Sequence, residues 1–401
     1  MSDFTFAITR KDAQHPLMRS GVIHTPHGDI HTPAFTPVAT KAAMKGMTVE
    51  MMKEVEAQAL LANAYHLYIQ PGHTLIKRSG GLGKFMNWDR PTFTDSGGFQ
   101  VLSLGSGYKK VVSMVQNTGT LSEPSTRKAF VDEDGVNFKS HRDGSIHRFT
   151  PEVSMEIQHA LGADICFAFD ELTSLADEPS YHREALDRTH RWAQRSLDHF
   201  RRLQTDNPNA PYQALYGVLQ GANIEKLRRE TAQYLGAMDF DGFGIGGAIE
   251  KVHLGDIVRW ACEELPETKP RHLLGISEPS DIFAAVESGI DTFDCVAPTR
   301  EARNGAIYTR DGRYNLKTAK YRDDFTPLEH DCPCYVCRHY ARAYVHHLFK
   351  SKEMLGATLA SYHNEYFIIS MVDSIRHAIE SGTFIDHKRL VLSRYLSEKR
   401  N

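Results

Sequence analysis

The stretch "HDCPCYVCRHY" (330–340) places Cys332, Cys334 and Cys337 within six residues. Three thiolates this close suit a tetrahedral zinc ion, which prefers soft sulfur and nitrogen ligands. His330, His339, His346, His347 and His363 are available as the fourth ligand. If one of them closes the shell, no position remains for water or substrate, and the metal is structural. The blander reading, three ordinary core cysteines, fits poorly because "DCPCYVC" is polar and turn-like.

A second set of residues offers acid–base chemistry. Asp95, in "FTDSGGFQVLSLG" (93–105), ends an apolar strand before a Gly-Gly turn that lets backbone approach a ligand. Asp170 and Glu171 follow the apolar run in "CFAFDELTS" (166–174). Gln220, in "GVLQGAN" (217–223), carries an amide that both donates to and accepts from a base edge. "DTFDCVAPTREARNGAIYTRDG" (291–312) brings Asp294, Arg300 and Arg303 together with only Glu301 nearby, which points to an anionic partner such as phosphate. Cys295 is a weak candidate nucleophile, since no histidine lies close in sequence to activate it. Singly, such an aspartate more often caps a helix. Together they fit one chemistry: two acids flanking an anomeric carbon, one as nucleophile and one as general acid/base.

These side chains need a scaffold that gathers distant loops. Segments 58–69, 163–171, 212–221, 240–247, 270–277 and 289–298 read as short buried strands ending in polar or Gly-rich turns. Amphipathic helices are expected over 180–204 and 223–238, and an exposed hairpin over 135–152 around "RDGS". Alternating buried strands and helices imply a parallel sheet of βαβ units. The dinucleotide fingerprint of an open sheet is missing, because no helix with a following ribose-binding acid attends "GFGIGG". An α/β fold of the (β/α)8 (TIM) barrel type follows, with Asp95, Asp170, Gln220, Gly246, Gly247 and Asp294 at the C-terminal strand ends, where barrel active sites sit.

Composition agrees with a soluble globular protein: 401 residues, 41% hydrophobic, 24% charged. No apolar run approaches the ~20 residues of a membrane span. "MSDFTFAITRKDAQHP" lacks an apolar signal core, so a cytoplasmic chain is expected. There, six cysteines with three clustered read as metal ligands, not disulfides. A net charge of −3 excludes bulk-charge coating of nucleic acid but leaves room for a local basic face.

"NAYHLYIQPG", "GGLGKFMNWDRP", "TDSGGFQVLSLG", "EIQHALGADICFAFDE", "FDCVAPTREARNGAIYT" and "CPCYVC…YHN" together resemble the tRNA-guanine transglycosylases, the bacterial type in particular, over nearly the whole chain. The resemblance implies a (β/α)8 barrel with an inserted C-terminal zinc-binding subdomain. It divides the chain into a barrel with the catalytic pocket (1–315), the zinc subdomain (316–370) and C-terminal helices packing back on the barrel (371–401). It implies a pentosyltransferase that exchanges guanine at wobble position 34 of tRNAs with GUN anticodons for a 7-deazaguanine. That base is queuine or its precursor preQ1, and exchange passes through a covalent enzyme–tRNA intermediate. Asp294 matches the nucleophile and Asp95 the general acid/base. Asp170, Gln220, Gly246 and Gly247 match the residues reading the purine edge, Phe99 and Leu274 the two apolar faces around the base, and Asn63 the pocket region. Arg300 and Arg303 match tRNA contacts, and His363 the fourth ligand of one structural zinc. Relatives form homodimers through the zinc subdomain.

The chain also departs from the family pattern. "GGAIEKV" replaces "GGLAVGE", with Ala248 for leucine, and Leu172 stands where a cysteine is usual. Both lie where the 7-substituent of the base belongs. Glu278 occupies a place that is often basic, and an additional stretch lies within 106–130. Two other classes compete with the enzyme. A non-catalytic zinc-binding partner subunit should have lost the "FDCVAPTR" and "DSGGFQ" motifs. A zinc hydrolase needs an open metal position, which three cysteines and a histidine deny.

Overall fold

In the computed structural model the chain is described over residues 4–105, 115–116 and 129–397. Eight short parallel strands form its centre: Ala34–Pro37 (β1), Leu60–Ala62 (β2), Thr92–Thr94 (β3), Ile165–Phe167 (β4), Ala214–Leu219 (β5), Gly242–Ile245 (β6), Arg271–Leu273 (β7) and Thr292–Cys295 (β8). They pair in the order β1-β8-β7-β6-β5-β4-β3-β2. The Val38–Leu61 bridge and the bond from the Ala39 N–H to the Leu61 carbonyl join the two ends of that order. Neighbours in sequence are therefore neighbours around a ring, and the (β/α)8 expectation holds.

The strands read as continuous apolar runs because helices cover them outside and side chains fill them inside. Through the interior Phe93 stacks on Phe167, and Phe167 meets Tyr216 edge-on, with ring centroids 6.4 and 5.6 Å apart. Small residues make room for them. A Cβ on Gly242 would fall 2.6 Å from the Tyr216 ring, and one on Gly244 2.8 Å from Phe167. The barrel floor is thus solid, which leaves the C-terminal strand ends and their loops as the open face.

Most predicted elements appear. The helices run over Pro179–Asp206 and Glu225–Gly236, and the hairpin pairs Val136–Lys139 with Ile146–Phe149. One expectation is corrected. Segment 58–69 is not one strand: β2 ends at Ala62, and Asn63 precedes the helix Ala64–Ile69. The apolar run was too short to distinguish the two states by periodicity. Strand β1 was not expected, because Pro33 and Pro37 bracket it and prolines usually argue against a central strand. Of the additional stretch 106–130, only 115–116 and 129–130 lie within the described residues. Val115–Gln116 pairs in parallel with Ile249–Glu250, just beyond β6.

Past the barrel, the helix Met354–Ser381 packs against the helix Ala297–Ala302 and against β1. It carries His363.

Candidate active site and metal centre

Asp294 lies within β8, half-buried. Its Oδ1 accepts from His272 Nε2 at 3.1 Å and from the Gly275 N–H at 3.0 Å. The other face of His272 meets the Thr292 hydroxyl at 2.9 Å, which fits an imidazole protonated on Nε2. His272 is itself fully buried against the Phe93 and Phe167 rings. Among the described residues nothing bonds to Oδ2 of Asp294. One carboxylate oxygen is thus anchored twice and the other is left available.

Asp95 follows β3. The Ala64 N–H donates to its Oδ1, and Asn63 Nδ2 and Gln100 Nε2 donate to its Oδ2, all at 2.7 Å. Burial pushes the Asp95 carboxyl up to about 6 against these bonds, and the charge of Asp294 adds to the rise. Asp170 follows β4. Ser96 donates to its Oδ1 at 3.0 Å and Gln220 Nε2 to its Oδ2 at 2.6 Å. Burial raises it likewise to about 6. A Cβ on Gly98 would fall 2.7 Å from the Asp170 carbonyl, so the second glycine of "DSGG" is what admits this close approach.

Gly246 and Gly247 follow β6, and Leu274 follows β7, its side chain 3.4 Å from where a Gly246 Cβ would stand. Phe99 lies half-buried in the helix Gly98–Gly105. The fold thus brings Asn63, Asp95, Phe99, Asp170, Gln220, Gly246, Gly247, Leu274 and Asp294 to one end of the barrel. Glu171 does not join them: it turns into a buried ion pair with Arg188 and a bond from the Tyr181 hydroxyl. Cys295 is no activated thiol either, since burial pushes it up to about 11.

The cysteines form a second centre. Donor atoms of Cys332, Cys334, Cys337 and His363 all lie within 4.8 Å of one another, and all four residues are buried. His363 Nδ1 stands 3.9, 3.5 and 3.3 Å from the three sulfurs, while its Nε2 donates to the Tyr308 carbonyl at 2.7 Å. Tying down the far nitrogen this way frees Nδ1 to bind a metal. The donor set fits one tetrahedral ion, compatible with zinc. His330, His339 and His347 are exposed, and His346 instead donates to the Leu316 carbonyl.

A family model described as queuine tRNA-ribosyltransferase matches residues 14–397. Queuine tRNA-ribosyltransferases of Thermoanaerobacter pseudethanolicus and Caldanaerobacter subterraneus are similar, at 44% and 42% identity, with 98% and 100% of both chains covered. That of Streptococcus pyogenes is 42% identical over 98% of this chain and 96% of its own.

The chain belongs to the queuine tRNA-ribosyltransferase family.

Membership makes it a pentosyltransferase, and the groups unexplained by sequence reasoning can be placed against that family's chemistry. The sequence pattern hides His272 and Gly275, because a histidine inside an apolar strand reads as core. Ser96 and Gln100 sat in plain view within "DSGGFQ". Lys41 and Lys45 follow β1, the unexpected strand. Burial lowers the Lys45 ammonium, and the neighbouring charges of Arg303 and Lys41 lower it further. Arg303 is lowered by burial and by Arg300, and one buried guanidinium nitrogen of Arg303 has no partner. Glu301, the nearest acid in sequence, is taken by Arg313 and the Tyr308 hydroxyl. Among the described residues, Lys41, Lys45, Arg300 and Arg303 have no carboxylate within ion-pair distance.

Proposed function

We propose that this chain exchanges guanine at wobble position 34 of tRNAs with GUN anticodons for a 7-deazaguanine, queuine or preQ1, in cytoplasmic queuosine biosynthesis. The observation that carries the reading is the contrast between the two aspartates. Asp294 is anchored through one oxygen and open at the other, as a nucleophile must be. Asp95 is held by three donors and raised to about 6, close to the working pH of a proton shuttle.

Expulsion of guanine gives C1′ oxocarbenium character, which a carboxylate on the face opposite the leaving base stabilises and then bonds. Asp294 Oδ2 attacks C1′, the C1′–N9 bond breaks, and a covalent enzyme–tRNA results. Asp95 delivers a proton to the departing base and takes one from the incoming base. Asp170, Gln220 and the Gly246–Gly247 strap read the purine edge, between Phe99 and Leu274. Arg300 and Arg303 grip the tRNA around the target nucleotide. Zinc on the Cys3His group clasps the segment 316–370 and takes no part in the reaction. The exposed Phe325, Tyr335, Tyr344, Met354 and Leu355 on and beside that segment support a homodimer formed there.

The test is radiolabelled guanine exchange into unmodified tRNA, followed by denaturing electrophoresis of the enzyme–tRNA mixture. Asp294→Asn is expected to lose both exchange and the denaturation-resistant adduct, with tRNA binding nearly intact. Asp95→Asn should lose exchange through proton transfer. Loss of the adduct in Asp95→Asn with its retention in Asp294→Asn would exchange the two roles.

A further inference from the structure

Arg228 is a fully buried cation with no carboxylate within ion-pair distance among the described residues. Burial alone pulls it down to about 9. Keeping such a charge is costly unless its donors are matched. Three main-chain carbonyls match the donors of two of its three nitrogens. Nε donates to Ala222 at 2.8 Å, and one terminal nitrogen donates to Leu219 at 3.3 Å and Gly246 at 2.8 Å. Arg228 therefore ties the loop after β5, which carries Gln220, to the strap after β6.

That tie has a direction. A trans peptide is planar, with its C=O and N–H antiparallel. Holding the Gly246 carbonyl toward Arg228 therefore turns the Gly247 N–H the opposite way. Gly247 has φ +98°, open to glycine alone in practice. A Cβ there would fall 2.8 Å from Gln220 Oε1 and 3.0 Å from the second terminal nitrogen of Arg228. Both of those atoms are buried and have no partner. The Gln220 oxygen thus borders the cation while its nitrogen donates to Asp170. Reversing the amide would set N–H groups against the guanidinium and an oxygen against the carboxylate. The buried charge thus favours one orientation of the amide.

We propose that Arg228 is a positioning residue that fixes base selectivity. It presents the Gly247 N–H and the Gln220 NH2 as two donors, so the site takes a base with a carbonyl oxygen on that edge and rejects a 6-amino base. This rests on the base-pocket reading above. The test measures kcat and KM for guanine exchange into tRNA, and discrimination against 2,6-diaminopurine, in the wild type, Arg228→Met and Arg228→Lys. Arg228→Met is expected to raise the KM for guanine about ten-fold, with a smaller change in kcat, and to erode discrimination at least as much. Arg228→Lys should recover part of both. Discrimination unchanged in the variants, whatever their melting temperatures, overturns the inference while leaving the pocket assigned. If Arg228→Met does not fold, the discrimination of Arg228→Lys decides. A wild type that exchanges no guanine, or does not prefer it, overturns the pocket reading and this inference with it.

Discussion

Single residues carry the two tasks that a barrel mouth must separate. A nucleophile needs one free oxygen, and a proton shuttle needs a raised affinity for protons. Replacing His272 by Phe removes one of two donors to Asp294 Oδ1 and leaves the Gly275 N–H. We expect kcat to fall about ten-fold with the KM for tRNA little changed, the pattern of a lost orienting bond. An unchanged kcat would assign His272 to packing alone. Asp170 makes a separate prediction. Its folded value, about 6, lies above the ordinary 3.8, so the folded state holds the proton that the unfolded state has released. The stabilisation is full below pH 4, declines as pH rises to about 6, and is absent above, a swing of roughly 3 kcal/mol. Asp170→Asn removes the ionisable group. It should raise the melting temperature relative to wild type at pH 8 and by about half as much at pH 5, while weakening base binding. Equal differences at the two pH values would contradict the assignment. The catalytic candidates were legible in the sequence because each ends an apolar strand. His272 was not, because a histidine inside an apolar strand reads as core until strand pairing sets it against Asp294, and the partner of Ser96 shows only once β3 and β4 lie side by side.

Elements explain what the sequence showed and what it hid. Strands β4 to β8 announce themselves as apolar runs with polar ends, and their C-terminal residues point to one rim. Strand β1 is concealed between Pro33 and Pro37, so the loop that carries Lys41 and Lys45 could not be placed on that rim. The cysteine cluster was legible in type and in all three thiols. Residue chemistry left five histidines open and only the family resemblance singled out His363, because it sits on a helix 26 residues beyond Cys337. That separation has an energetic consequence. Metal bound across it joins the "CPCYVC" turn to the helix Met354–Ser381, which in turn packs on β1 and on the helix after Asp294. Binding energy at such a site is folding energy. Cys334→Ser is expected to release the metal and to lower the melting temperature by about 4 °C, as a loss of roughly 3 kcal/mol does in a chain of this size. Metal analysis with calorimetry checks both. A zinc-free variant melting like the wild type would show that the clasp contributes nothing.

On the scale of the whole molecule, one cluster of unneutralised cations offers a polyanion a place to bind. A chain of net charge −3 does not hold RNA by bulk attraction, so binding must come from cations left unneutralised. Most arginines of this fold are spent on carboxylates, as Arg183 is on Glu230 and Arg229 on Glu225, Glu263 and Glu264. Lys41, Lys45, Arg300 and Arg303 are not. Burial lowers Lys45 and Arg303, and the like charges around them lower both further, a repulsion that a phosphate would relieve. Each phosphate contact releases counterions, so the logarithm of affinity falls with the logarithm of salt by about 0.7 to 0.9 per contact. Binding can be isolated from chemistry by working in Asp294→Asn. In that background, Arg300→Gln with Arg303→Gln should reduce the salt slope for tRNA by about 1.5, and Lys41→Gln with Lys45→Gln by a similar amount. Guanine affinity measured calorimetrically should hardly change, because none of the four side chains faces the base pocket in this reading. A salt slope unaffected by all four changes would place the tRNA on another face of the barrel.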